Sequence, residues 1–190
     1  MANLNKINKG FWWGITQILR LKFAGIGKGS IIFAPMQIDN PKTIEIGDYV
    51  FIAEGAWLMG SSTEIGATLK IGQSSVIGHF SHIIANKEVV IENSVLIADK
   101  VFISDCTHNY TDVVIPVMNQ AVSFLKSVHI GEGSWLGENV CVCGASIGKH
   151  CVIGANSVVT NDIPDYCVAA GSPAKIVKKY DFDKKQWVRI

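Results

Sequence analysis

His108 stands in the segment "ISDCTHNYTD", residues 103–112, where a polar run follows an apolar stretch. An imidazole titrates near neutral pH, so it can take a proton from an attacking group and return it to a leaving group. It is also a common metal ligand, and His79 and His82 in "IGHFSH" supply further ring nitrogens. From its residue type alone, His108 is a general base, a metal ligand or an ordinary loop residue.

Apolar residues recur at every sixth position, and this period identifies the element that must carry His108. Gly, Ala or Glu often follows the apolar residue, as in "IGDYVF", "IGQSSV" and "IGKHCV". A period of six fits neither the 3.6-residue period of a helix nor a hairpin meander. It predicts a prism in which each hexad forms one short strand and one corner, where Gly allows the sharp turn, with roughly six to seven turns of three strands. The predicted inward-facing anchors are Ile26, Ile32, Ile38 and Ile44; Ile46, Ile52 and Leu58; Ile65, Ile71, Ile77 and Ile83; Ile91, Ile97 and Ile103; Ile130, Leu136 and Val142; and Ile147, Ile153 and Val159.

The phase of the repeat breaks most strongly between Ile103 and Ile130. Because a chain that leaves the prism must return in register, this break predicts an extruded loop over about residues 106–128. Long excursions from a rigid scaffold often carry functional residues. The segment that contains His108 begins this loop.

Composition limits the class of protein. A chain of 190 residues with 48% hydrophobic and 17% charged residues is a folded globular protein, and a net charge of +1 argues against nucleic acid as a partner. The five cysteines are an odd number, and three lie in the apolar periodic segment, where we expect small buried hydrophobes. The sequence therefore predicts no disulfide framework and a reducing, cytoplasmic environment.

The two ends of the chain lie outside the repeat. The run "KGFWWGITQILRLK" is too short to span a bilayer and predicts an amphipathic helix within residues 1–25. Five basic and no acidic residues precede Asp39, so the helix either caps the first coil or docks on an anionic membrane. Residues 26–172 form the predicted prism, and residues 173–190 a short C-terminal helix in which Trp187 packs back.

The hexads resemble those of the hexapeptide-repeat acyltransferases, which implies an all-β fold, a left-handed parallel β-helix. The closer resemblance is to the sugar and xenobiotic O-acetyltransferase branch. It rests on "VLIADKVFISDCTHNY", "VHIGEGSWLGENV" and "VIGANSVVTNDIPDYCVAAGSPAKIV" in that order. The resemblance implies acetyl-CoA as co-substrate, no metal, and a homotrimer with active sites between subunits. Exposed faces bearing Trp57, Phe102 and Trp135 are compatible with cover by a partner.

The resemblance also implies roles for individual residues. His108 matches the catalytic base of a direct transfer without an acyl-enzyme. The positions implied for coenzyme A are Trp135, Ala155, Thr160, Asn161, Lys175 and Lys178, although Asn161 stands where the family often has Lys or Arg. The candidate acceptor contacts are His82, Asn86, Asp105 and Tyr110, and Asp105 has two further interpretations, as a turn residue or as a group that orients the imidazole.

These observations favour an O-acetyltransferase that acts on a hydroxyl of a sugar or glycan precursor. The alternatives are an N-acetyltransferase of a nucleotide-linked amino sugar, a zinc hydratase like the γ-class carbonic anhydrases, or a non-catalytic scaffold. The γ-class enzymes have two of their zinc histidines five residues apart. In this chain His79 and His82 are three apart, and no histidine lies five residues from His108.

Overall fold

The computed structural model describes residues 2–66 and 68–190, with side chains from Gly10 onward; Met1 and the side chains of the predicted helical residues Lys6 and Lys9 lie outside this description. Helix α1 (Ala2–Leu19) precedes 22 short strands, and single 3-10 turns occur at Pro41–Thr43 and Val117–Asn119. The first sheet contains β1 (Gly25–Ile26), β4 (Ile44–Ile46), β7 (Leu69–Ile71), β10 (Val89–Ile91) and β15 (Val128–Ile130), extended by single bridges at Ile147 and Ile163. The second contains β2 (Ile31–Ile32), β5 (Phe51–Ile52), β8 (Val76–Ile77), β11 (Leu96–Ile97), β16 (Trp135–Leu136), β18 (Val152–Ile153), β20 (Cys167–Ala170), β21 (Lys175–Asp181) and β22 (Gln186–Arg189). The third contains β3 (Gln37–Asp39), β6 (Trp57–Met59), β9 (His82–Ile84), β12 (Phe102–Ser104), β17 (Cys141–Cys143) and β19 (Val158–Val159), and a separate hairpin pairs β13 (Cys106–His108) with β14 (Val122–Phe124).

Successive strands alternate among three parallel sheets, so the chain winds as a prism with one strand per face. This confirms the predicted left-handed parallel β-helix. Anchors of one face stack in register along the axis, for example Ile52 with Ile77 and Ile77 with Ile97, and all three are fully buried. Each coil therefore buries its apolar side chains against its neighbours in one continuous core.

One predicted anchor is wrong. Ile65 is fully exposed, and Leu69 instead faces inward, in register with Ile44. The chain leaves the prism after Gly60, and Ser61 N–H donates to Thr68 Oγ1 at 3.0 Å to close the small loop. The extra residues lie in this loop, so the hexad phase restarts after it rather than at Ile65.

The glycines that follow the anchors are required for a different reason from the sharp turn that was expected. The backbone turns through left-handed residues that are mostly not glycine, such as Tyr49, Ser74 and Ser94. Gly72, in contrast, lies so close to the next coil that a Cβ atom there would come within 2.5 Å of the Glu92 carbonyl carbon. Close approach between coils, rather than a positive φ, excludes a side chain at this position.

The C-terminal segment is a β-hairpin, and the predicted C-terminal helix is wrong. Strand β21 pairs antiparallel with β20, and β22 pairs with β21, so the open edge of the last strand is covered. The side chains of β21 alternate between exposed and half-buried positions, the period of a strand. The Trp187 ring packs on Tyr180 with centroids 5.4 Å apart.

Candidate active site

His108 lies on the hairpin that leaves the prism directly after β12. Its strand β13 pairs antiparallel with β14, and His108 is opposite Val122. Beyond it, Asn109 N–H donates to the Ala121 carbonyl at 3.0 Å. The side chain of His108 is exposed at the point where the regular coil ends and the excursion begins.

A cavity of about 600 Å³ lies between this hairpin and the third sheet. His108 and the predicted acceptor residue Asn86 both line it. The other lining residues come from five successive coils, the loop after β6 and the hairpin. They are Asn40, Met59, Gly60, Ser61, Ser62, Ile84, Ala85, Phe102, Ser104, Cys106, Thr107, Val122 and Cys143.

Asp105 is fully buried at the base of the hairpin. Its Oδ1 accepts the backbone N–H of Asn86 at 2.7 Å, and its Oδ2 accepts those of Lys87 and Glu88 at 2.6 and 2.8 Å. The carboxylate thus contacts the turn of the preceding coil, and it is absent from the cavity lining and from any contact with the His108 imidazole. This geometry favours a positioning role for Asp105 over a direct contact with the acceptor.

His82 lies beside the cavity but does not line it. Its ring stacks on Trp57 with centroids 4.1 Å apart and meets the edge of Phe102 at 5.5 Å. Burial lowers the pKa of His82, an effect that the charge of Asp39 partly opposes. Tyr110 is 72% exposed on the hairpin and is likewise absent from the cavity lining.

Cys141 and Cys143 are half-buried, contrary to the expectation that the cysteines of the periodic segment are buried, whereas Cys151 is buried as expected. Cys141 and Cys143 flank the fully buried anchor Val142 on one strand, and their Sγ atoms lie 3.5 Å apart. A hydrogen bond from Cys143 lowers the pKa of the Cys141 thiol to about 7, while the same pairing raises that of Cys143. Cys143 and Cys106 line the cavity. The outward position of Cys143 could have been predicted from the sequence, because residues on either side of an inward anchor must point outward.

Three residues expected to bind coenzyme A, Trp135, Lys175 and Lys178, lie on the outer face of the second sheet. Trp135 pairs with Val152, Val152 with Val168, and Val168 with Lys178. Lys175 pairs with Ala170, two residues after Val168. The register between β20 and β21 shifts between Val168 and Ala169, so Lys175 and Lys178 are both opposite residues that face outward. Trp135 is 48% exposed on this row.

The remaining expected coenzyme contacts lie nearer the third sheet. Thr160 follows β19, and the next register position after the pair Val142 and Val159 aligns it with Cys143. Ala155 lies at the corner between the second and third sheets, and Asn161 follows Thr160 on the exposed surface. His108 therefore lies on the hairpin beside the third sheet, whereas Trp135 lies on the second sheet of the same prism.

The other histidines and depressions do not form a second centre among the described residues. His79 contacts Asp99 at a corner, with Nδ1 3.0 Å from Oδ1. The described part of the chain contains no group of three or more His, Cys, Asp or Glu residues that could hold a metal. A shallower depression of about 380 Å³ lies on the first sheet around Lys70 and Glu92 and contains none of the predicted site residues.

Comparisons with known proteins agree with this architecture. The family model described as bacterial transferase hexapeptide (six repeats) matches residues 127–161, which cover β15, β16, β17, β18 and β19. An N-acyltransferase of Bacillus cereus, AntD, solved with dTDP and 3-hydroxybutyryl-CoA, has a TM-score of 0.74 at 19% identity, covering 89% of each chain. A maltose O-acetyltransferase from Clostridium difficile has a TM-score of 0.56 at 24% identity, covering 87% of this chain and 74% of its own. At these identities the structures show the fold.

Sequence relatives match a shorter part. WbbJ of Escherichia coli K12, named as a lipopolysaccharide biosynthesis O-acetyl transferase, is 54% identical over 63 residues, 33% of this chain and 32% of WbbJ. A protein of Mycobacterium tuberculosis named as an acetyltransferase is 43% identical over 76 residues, 39% of this chain and 25% of the relative. The matched part thus spans a quarter to a third of these relatives. The fold, the matched repeats and these relatives confirm the resemblance to the hexapeptide-repeat acyltransferases.

Proposed function

We propose that the chain is an acetyl-CoA-dependent O-acetyltransferase that acts on a hydroxyl of a sugar or glycan precursor. The observation that carries this proposal is the position of His108, which lines a cavity of about 600 Å³ where the hairpin leaves a rigid coil. A base held at the rim of a substrate-sized cavity suits general-base catalysis.

His108 acts on the acceptor in the proposed transfer. Its imidazole takes the proton from the acceptor hydroxyl while that oxygen attacks the thioester carbonyl and the new C–O bond forms. When the C–S bond breaks, the electron pair leaves on the coenzyme A sulfur, which receives the proton from the imidazolium. No covalent enzyme intermediate is required.

The lining of the cavity suits a polyhydroxylated acceptor. Asn86, Ser104 and Thr107 offer side-chain donors and acceptors, whereas Phe102 and Met59 offer apolar surface. Sugars combine hydroxyl groups with apolar ring faces, so both kinds of lining contribute to binding. The relative named for lipopolysaccharide biosynthesis and O-acetyl transfer supports a hydroxyl acceptor over an amine.

Coenzyme A is proposed to bind along the outer face of the second sheet of a neighbouring subunit. Lys178 and Lys175 provide positive charge for phosphates, and Trp135 lies three strands away in the row of Lys178. His108 lies on another face of its own prism, so a homotrimer with sites between subunits would join the two halves. Five free thiols suit the reducing cytoplasm in which we expect the enzyme.

A thiol-release assay with acetyl-CoA tests the proposal. Free, lipid-linked and nucleotide-linked sugars, each with a hydroxyl or an amino acceptor group, separate O- from N-transfer. We expect His108→Ala to lower the transfer rate about 10² to 10⁴ fold with coenzyme A binding retained. The matched control is His129→Ala, a substitution of an exposed histidine on the first sheet that should leave the rate unchanged.

Three results would reject the proposal. Near-normal turnover by His108→Ala would show that His108 is not the general base. Absence of coenzyme A binding in calorimetry would favour a scaffold. Stoichiometric zinc in the purified protein, together with hydratase activity, would favour the metal alternative.

A further inference from the structure

Helix α1 uses one face to cover the first coil. Thr16 is fully buried; its hydroxyl donates to the Trp12 carbonyl at 2.7 Å and accepts the Ile32 N–H at 3.0 Å. Trp12 packs on Phe33 with ring centroids 6.0 Å apart, and Arg20 Nη2 donates to the Gly27 carbonyl at 2.7 Å. These contacts satisfy the role of a cap, because they shield the open strand edge of the first coil.

The opposite face of the same helix is apolar and exposed. Phe11 is 61% exposed and Ile18 63% on this face, Leu21, just beyond the helix, is 90% exposed, and Trp13 is 49% exposed on the flank, three residues from Thr16. From Gly10 to Leu21 every exposed residue is one of these four or Gly10 itself. A terminal cap needs only a polar outer face for solubility, so the apolar surface calls for a further partner.

The charge distribution identifies the kind of partner. The first 38 residues contain five of the 17 Lys and Arg residues and none of the 16 Asp and Glu residues. The rest of the chain has the opposite sign, with fewer basic than acidic residues. A second copy of α1 would bring like charge against like charge, whereas an anionic lipid surface attracts the helix and repels the body.

We propose that α1 docks on an anionic bilayer surface, with Phe11, Ile18 and Leu21 in the interfacial layer and the prism pointing away. No helix among the described residues is long and apolar enough to cross a membrane. In this proposal the helix lies in the plane of the interface, held by apolar burial together with basic residues such as Lys22.

Vesicle flotation of the full chain tests the docking. The probes are phosphatidylcholine vesicles with and without phosphatidylglycerol. We expect binding to the anionic vesicles that weakens with added salt, and a loss of tenfold or more for the triple variant Phe11→Ser, Ile18→Ser and Leu21→Ser. Lys22→Glu tests the charge separately and should weaken binding less than the triple variant.

The control variant is Ile65→Ser, which removes an equally exposed apolar side chain far from α1 along the chain. It should bind as the unaltered protein does. Unaltered binding by the triple variant, or equal binding to neutral vesicles, would overturn the proposal. So would a triple variant whose mass in solution without lipid is smaller, because the face would then join two copies. The measurement needs no acceptor, so its outcome is independent of the acetyltransferase proposal.

Discussion

The carboxylate of Asp105 accepts the backbone N–H of Asn86 at 2.7 Å, and this bond ties the start of the excursion to the preceding coil. Asn86 lines the cavity, and His108 follows Asp105 by three residues. The buried carboxylate thus fixes two parts of the candidate site relative to each other without lining the cavity itself.

We expect Asp105→Asn to lower the free energy of unfolding by about 2–3 kcal/mol, because an amide cannot accept three backbone N–H bonds and turns a donor toward donors. Equilibrium urea unfolding at fixed protein concentration measures the change. The control is Asp112→Asn on the exposed part of the hairpin, where the loss should stay within about 0.5 kcal/mol. Equal losses in the two variants would contradict the anchoring role of Asp105.

The parts of this structure that could be predicted from the sequence are those that the hexad repeat determines. The hexad anchors predict the prism because each apolar side chain at the sixth position must face a common core. The prediction that Ile65 faces inward is wrong because a short insertion restarts the phase of the hexad repeat, and no local signal distinguishes Ile65 from Ile71. The hairpin of β21 and β22 was missed because its strand character depends on the open edge of β20, which is a tertiary feature. The hydrogen bonds of Asp105 could not be predicted for a similar reason, since its partners lie one coil away at residues 86–88.

Cys141 should react with iodoacetamide at neutral pH, because its pKa is about 7 and the thiolate is the reacting species. Cys143→Ala removes the hydrogen-bond donor and returns that pKa toward its ordinary value. The thiolate fraction at pH 7 then falls about fiftyfold, but the more basic thiolate is about tenfold more nucleophilic, so we expect a net decrease of about fivefold. Mass spectrometry of mapped peptides gives the rate.

Cys151 provides the internal reference for this measurement, since burial raises the pKa of its thiol to about 11. It should remain unmodified while Cys141 reacts. An unchanged or faster rate for Cys141 in the Cys143→Ala variant would show that the thiol pair does not activate it.

His82 should make the protein less stable in mild acid. Burial lowers its pKa in the folded state, so between about pH 7 and about pH 5 the unfolded state, with a pKa near 6.5, binds more protons. The free energy of unfolding therefore falls as the pH falls through this window. His82→Phe keeps a ring between Trp57 and Phe102 and removes a buried Nε2 atom that has no hydrogen-bond partner in the described structure.

Thermal unfolding at the two pH values compares the variants. The decrease in melting temperature on acidification should be smaller in His82→Phe than in the unaltered protein. The matched control is His150→Phe, where an exposed histidine stacks on Tyr166, and its decrease should be unchanged. If the melting temperature decreased by the same amount on acidification in both variants, His82 would not be the cause of the acid sensitivity.

Mixed oligomers test whether His108 and Trp135 act across subunits. His108→Ala and Trp135→Ala subunits should each be strongly impaired alone, because one lacks the base and the other part of the proposed coenzyme row. If each site joins the His108 hairpin of one chain to the second sheet of its neighbour, random assortment of equal amounts restores about a quarter of the sites. Thiol release by co-refolded mixtures, compared with the separately refolded variants, measures this recovery. Intact His108 and Trp135 never occur in the same chain of such a mixture, so a site within one chain would give no recovery, and that result would place both halves on one subunit.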